Sequence, residues 1–225
     1  MLCSYNYRRF RVDHHPMDEF PGPAPGEPAI DFRAHTLDGR EVRLSDFEGQ
    51  ILVLETGSFT CPHYVGNIDP MHDLAFEFPE ALFLVLYVRE AHPGGRVGPH
   101  RSLDDKLRNA HRLRAEEEEN RMVLVDDLEG RAHQAYGAMP NMAYVINEEG
   151  RVVHRSEWAN AASVRRVLDD LRHQKPLLRT QEHGFSIRKR KVFPTLYRAG
   201  LGSIVDFLVE FPKMALFHLR RTWTT

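Results

Sequence analysis

The chain has 225 residues, 42% of them hydrophobic and 28% charged. That excludes a wholly disordered chain and fits one globular domain with appendages. The formal net charge of −2 joins an acidic body, with 20 Lys/Arg against 29 Asp/Glu in residues 1–174, to a basic end, with 10 against 3 in 175–225.

No apolar window of about 18 residues is free of charge, so a membrane-spanning helix is not expected. The first residues lack the apolar run of a secretory leader. Two cysteines, Cys3 and Cys61, make no disulfide framework and point to a reducing, cytoplasmic compartment.

In chain order, residues 1–25 read as a flexible arm, with Pro21, Pro23 and Pro25 breaking any helix. Asp38-Gly39 between short alternating segments predicts a hairpin turn. The apolar run 51–54 reads as a strand buried on both faces, followed by a helix over about 64–78 that bends at Pro70. A second buried strand spans 81–88, and a helix capped by Ser102 places Leu103, Leu107, Ala110 and Leu113 on one face. A strand at 121–125, a short helix at 128–136, a hairpin of 143–146 with 151–154 and a helix at 161–173 follow. The alternation predicts an α/β domain over 26–174, with a mixed central sheet flanked by helices. The acidic run Glu116–Glu119 reads as solvated.

Cys61 falls between the first core strand and the next helix. There the helix N-terminus favours a thiolate and a protonated His63 would add to the effect, against the alternative of an inert buried thiol. Met139-Pro140 precedes a hairpin strand, as a tight-turn proline and a candidate cis bond. Glu90 and His92 share one face of a strand end, within reach of a mutual hydrogen bond. No Cys/His cluster has zinc spacing, and an acidic body without a recognition motif argues against nucleic acid.

The lead-in 26–49, Cys61 and the segment 136–150 around Met139-Pro140 together resemble the thioredoxin-like fold of redoxins and peroxiredoxins. A Cys-x-x-Cys pair is absent, since Ser58 and Tyr64 hold the positions a second cysteine would need. Across about 50–172 the chain is more similar to the iodothyronine deiodinase family. Gly57-Ser58-Phe59-Thr60-Cys61-Pro62 resembles that family's active-site segment, with Cys61 at its selenocysteine position. The segments 87–93, 100–105, Val125-Asp126 and Tyr136-Gly137-Ala138 fall in matching order.

The resemblance implies Cys61 as nucleophile, Glu90 and His92 as its proton-handling network, and His100 as a substrate-gripping histidine. Ser58, Thr60 and Pro140 are expected around the substrate, and His63 as the group that tunes the thiol. Phe59 stands where the family often has a further cysteine. Met142 stands where an arginine completes the grip on an iodothyronine, so that pair is incomplete here.

The basic end, 175–225, predicts an amphipathic helical extension. Leu201, Ile204, Val205, Leu208, Phe211, Ala215 and Leu219 share one face, and Asp206, Glu210 and Lys213 the other. That face suits either an anionic membrane surface or packing on the body or a second subunit, through 185–221. The sequence thus predicts a thiol-dependent oxidoreductase that acts on a small-molecule substrate. No bound cofactor or metal is expected, and an external thiol such as thioredoxin or glutathione, or Cys3, would regenerate Cys61. A one-Cys peroxidase and a non-catalytic thioredoxin-like binding module are the alternatives.

Overall fold

The apolar runs that leave no polar face for solvent lie at the centre of an eight-stranded mixed sheet in the computed structural model. It describes residues 5–15, 20–175, 180–182 and 189–222, with backbone alone for 189 and 216–222. The strands are β1 (Arg33–Thr36), β2 (Glu41–Arg43), β3 (Ile51–Gly57), β4 (Ala81–Tyr87), β5 (Met122–Val125), β6 (Ala143–Ile146), β7 (Val152–Ser156) and β8 (Thr180–Glu182). Their spatial order is β2-β1-β5-β4-β3-β6-β7-β8.

β3, β4 and β5 run parallel, with Leu54 opposite Leu84 and Leu86 opposite Leu124, and β6 pairs antiparallel to β3. The predicted hairpins are β1–β2 and β6–β7. Parallel strands need crossover connections, which α1 (Pro62–Glu77) and α2 (Leu103–Glu116) supply. Ser102 caps α2 by accepting from the Asp105 N–H at 3.1 Å. α3 (Arg131–Ala135) and α4 (Ala161–Arg172) complete the body.

Strand alternation divides the core. Leu52, Leu54, Leu84 and Leu86 face one side with Tyr136 and Tyr144, while Val53, Phe83, Val85 and Tyr87 face α1, α2 and α4 on the other. Gly57 ends β3 under the Tyr64 ring, where an added Cβ would lie 2.2 Å from the ring carbon. Only glycine lets the aromatic ring pack against the backbone there.

Four expectations change. The arm is not loose over 5–15: Tyr5 and Phe10 are buried, and the Arg89 guanidinium donates to the Tyr5 carbonyl at 3.0 Å. β8 continues the sheet into the predicted helical extension by pairing parallel to β7. The acidic run is half internal. Glu119 is buried against Arg121 at 2.6 Å, and Glu117 pairs with Lys191 at 3.0 Å and with Arg198.

The fourth change concerns the extension's two helices, α5 (Lys189–Ala199) and α6 (Leu201–Thr222), which join at Gly200 with φ +120°. α6 turns Asp206 and Glu210 toward the body and leaves Leu201, Val205, Leu208 and Phe211 exposed, so of the predicted alternatives the packing of the apolar face on the body does not occur. Arg9 and the arm backbone attract the two carboxylates inward, and that sets the rotation. Leu219, Arg188, Arg220 and Arg221 lie outside the described side chains. No helix among the described residues is long and apolar enough to cross a membrane.

Candidate active site

The loops that leave β3 and β4 start side by side, because Gly57 pairs with Tyr87 at the strand ends. Hydroxyls then join the loops. Ser58 Oγ accepts from the Ala91 N–H at 3.1 Å, and Thr60 Oγ1 accepts from the His92 N–H at 3.1 Å while donating to Glu90 at 2.6 Å. Ser58 and Thr60, expected at the substrate, tie the site's two loops together.

Cys61 is the N-cap residue of α1, with Pro62 in the first turn. Burial pushes its thiol up to about 12, although the His63 and Tyr64 N–H groups of the helix start favour the thiolate. Glu55 and Glu90 push in the same direction as burial. The expected lowering is therefore overturned in this closed arrangement: with the side chain 2% exposed, loss of water outweighs the helix terminus.

Glu90 is also buried, and burial works against its charge. His100, Thr60 and Tyr87 outweigh that and hold it below the usual carboxylate range. It accepts from the Thr60 N–H at 3.0 Å, from His100 Nε2 at 3.2 Å and from the Tyr87 hydroxyl. Glu90 and His92 do not bond to each other; Thr60 stands between them. His100 lies on the Glu90 side, away from the cavity over the thiol.

That cavity, about 40 Å³, is lined by Cys61, Pro62, His63, His92, Met139, Pro140 and Trp158 of the body. Phe10, Val12 and His15 of the arm and Phe207 and Met214 of α6 close it. Burial holds His92 down to about 3, so its ring is neutral, and its Nδ1 is buried without a hydrogen-bond partner. Pro140 lines the cavity, and the described residues hold no cis peptide bond. The turn before it is made by Gly137 at φ +112° and Ala138 at φ +59°. Met142 is fully buried beneath Gly137.

The sequence reading missed the polar chain behind His63. Asn141 donates to Glu55 at 2.9 Å and to the Thr56 carbonyl at 2.7 Å, which leaves its Oδ1 to face His63 Nδ1 at 2.6 Å. His63 Nδ1 then carries a proton toward Asn141 Oδ1. Glu55 in turn accepts from Arg121 at 2.6 Å. A lone Asn beside a proline carries no periodic signal; the charge at Glu55 within an otherwise apolar strand was the available clue.

Among the described residues no group of three or more His, Cys, Asp or Glu is placed to hold a metal ion, and Cys61 is a free thiol. Cys3 lies outside the described residues.

Comparison with known proteins adds the family. The chain is 32% identical over 146 residues to thyroxine 5-deiodinase of Gallus gallus, covering 59% of this chain and 56% of that one. It is 30% identical over 145 residues to type I iodothyronine deiodinase of Xenopus laevis, covering 60% and 55%. The chain thus spans about half the length of the curated relatives it matches.

An uncharacterized conserved protein of Geobacillus kaustophilus superposes with TM-score 0.59 at 20% identity, covering 73% of this chain and 89% of that one. A thiol-disulfide oxidoreductase of Bacteroides fragilis superposes at 0.51 and 12%, covering 64% and 99%. These establish the thioredoxin-like fold. The family description "Iodothyronine deiodinase" matches residues 1–171, from the arm that covers the thiol through the last helix of the body. The chain belongs to the iodothyronine deiodinase family.

Proposed function

We propose that this chain is a thiol-dependent oxidoreductase in which Cys61 attacks a soft electrophilic centre of a small substrate, with reductive dehalogenation as the reaction. The observation that carries it is the placement of a cysteine at a helix start, inside a cavity that His15, His63 and His92 also line. Sulfur suits a polarisable halogen, and the helix N–H groups stabilise the thiolate once water reaches it.

In the dehalogenation, the Cys61 thiolate takes the halogen as a sulfenyl halide and the carbon leaves with the bonding electron pair. A proton then neutralises the carbon. An external thiol displaces halide from sulfur as a mixed disulfide, and a second thiol releases Cys61 reduced. The substrate gains two electrons and the two thiols become a disulfide. His63 is the proton-handling group at the cavity, while His92, held neutral by burial, offers its unpartnered Nδ1 to a polar atom of the substrate. Glu90, held ionised, keeps Thr60 and the two loops in place rather than donating a proton.

The small closed cavity favours a second reading. Space of about 40 Å³ admits a hydroperoxide more readily than an aromatic ring. There Cys61 would take one peroxide oxygen to become a sulfenic acid and release an alcohol or water, with the same thiols restoring it.

The test uses the full chain carrying Cys3→Ser, assayed with dithiothreitol against an aryl iodide and against hydrogen peroxide. Halide release that disappears in Cys61→Ser supports dehalogenation. Peroxide consumption without halide release moves the assignment to the peroxidase. Turnover that survives Cys61→Ser removes this cysteine from the chemistry.

A further inference from the structure

α6 is held over the thiol by a small set of polar contacts. The Arg9 guanidinium makes a two-point contact with Asp206, one arm of it 2.6 Å long, and Glu210 accepts from the Val12 N–H at 3.1 Å. Beneath them Phe207 meets the His92 ring edge at 5.8 Å, and Phe10 lies over the same ring at 4.1 Å. The opposite face of α6 is apolar and exposed, with Leu201 at 69% and Val209 at 64%. Beyond its first turn, where the buried Ser203 hydroxyl donates to the Leu196 carbonyl at 2.5 Å, a helix that turns carboxylates inward and leucines outward buries little apolar surface besides Phe207 and Met214, so its attachment over the thiol rests largely on the arm.

α5, by contrast, is fixed. Leu196 and Ala199 are fully buried, and Arg198 donates to the Phe59 carbonyl at 3.0 Å. Between the firm and the weakly held helix stands Gly200, in the left-handed region.

The cavity beneath has room for about two or three waters. Any larger molecule reaches Cys61 only if a wall moves. No Lys or Arg lines it, and His92 is neutral. His92 is 8% exposed, and its buried Nδ1 has no hydrogen-bond partner and can bond one polar atom of a ligand.

We propose that α6 is a hinged gate on Cys61, turning at Gly200 and latched by Arg9 and Asp206. In the closed chain Phe207 and Met214 hold the place of the apolar part of an uncharged substrate. The gate selects for neutral apolar molecules with one hydrogen-bonding group, and it supplies a specificity wall from beyond the family-matched residues. This rests on the reading of Cys61 as the reacting group.

The experiment measures the rate of Cys61 modification in the full chain carrying Cys3→Ser. The probes are N-phenylmaleimide, which is neutral and aromatic, and iodoacetate, which is anionic. Asp206→Asn, with an unchanged melting temperature to show that the body is folded, is expected to raise the maleimide rate about tenfold. Phe207→Ala is expected to raise the maleimide rate more than the iodoacetate rate. Labelling in both variants at the parent's rate overturns the gate, and equal acceleration of both probes overturns its selectivity. Turnover that survives Cys61→Ser, alongside accelerated labelling in Asp206→Asn, overturns the chemistry and leaves the gate standing.

Discussion

Buried charge near the thiol is arranged in closed sets, and each set predicts what one substitution does. Glu119 is held down to about 2: burial opposes its charge, but Arg121 and the Tyr64 hydroxyl more than offset that. A carboxylate with a lowered native pKa adds stability above its unfolded value of about 4.3, and that is lost as the pH falls through the native value. Glu119→Gln is therefore expected to cost about 3 kcal/mol near neutral pH by leaving Arg121 short of a partner. In urea unfolding at a series of pH values, the gap between parent and variant should close as the pH approaches about 2. A gap independent of pH would deny the pairing its role.

Asn141→Ala removes the acceptor that fixes the His63 tautomer. It is expected to lower kcat about ten- to hundredfold with little change in KM, and a pH–rate profile should shift with it, because the ring's basic nitrogen is no longer specified. Loss of KM alone would make Asn141 a substrate contact instead.

At the scale of elements, the Cys61 loop owes its position to β3, and β3 ends on a glycine because Tyr64 lies against it. Gly57→Ala is expected to destabilise by about 1–3 kcal/mol through overpacking and to displace the start of α1. The checks are a lower urea midpoint and an altered rate of Cys61 labelling; an unchanged midpoint would mean that the ring simply moves aside.

The strands other than β8, and most helices, were legible in the sequence, because apolar runs at 51–54 and 81–88 and the cap at Ser102 carry local signals. The facing of α6 was not legible. Its apolar stripe is correctly spaced, but two inward carboxylates meet an arginine and a backbone N–H from almost two hundred residues away, and no local pattern encodes such a contact. Glu119 misled for the same reason: its partner Arg121 is only two residues along, but burial of the pair depends on β3 and α1. Within the site, Cys61 and Pro140 could be placed from motifs, whereas Asn141 and the enclosing Phe10 and Phe207 could not.

For the molecule as a whole, the arm, the body and the extension meet over one cavity, and a ring of neutral histidines lies around and beneath the covering segments. Burial holds His92 and His133 down to about 3 and His15 well below its ordinary value. Unfolding lets each take up a proton once the pH drops below about 6.5. The unfolded chain then binds more protons than the folded one, so stability falls with falling pH at about 1.4 kcal/mol per pH unit for each histidine involved. The melting temperature should decline from about pH 6.5 downward, and His133→Gln should flatten that decline. A constant melting temperature between about pH 6.5 and pH 4.5 would contradict the neutral assignment of these rings.

The reaction proposed for Cys61 passes through a sulfenyl halide or a sulfenic acid, and water converts the first into the second with release of halide. Substrate is therefore added to the reduced Cys3→Ser chain without external thiol, in the presence of a cyclic diketone that traps sulfenic acid, and the mass of the peptide containing Cys61 is measured. The predicted result is a diketone adduct on Cys61 that forms only with substrate and disappears when dithiothreitol is present from the start. Substrate consumption with Cys61 unlabelled would contradict the account.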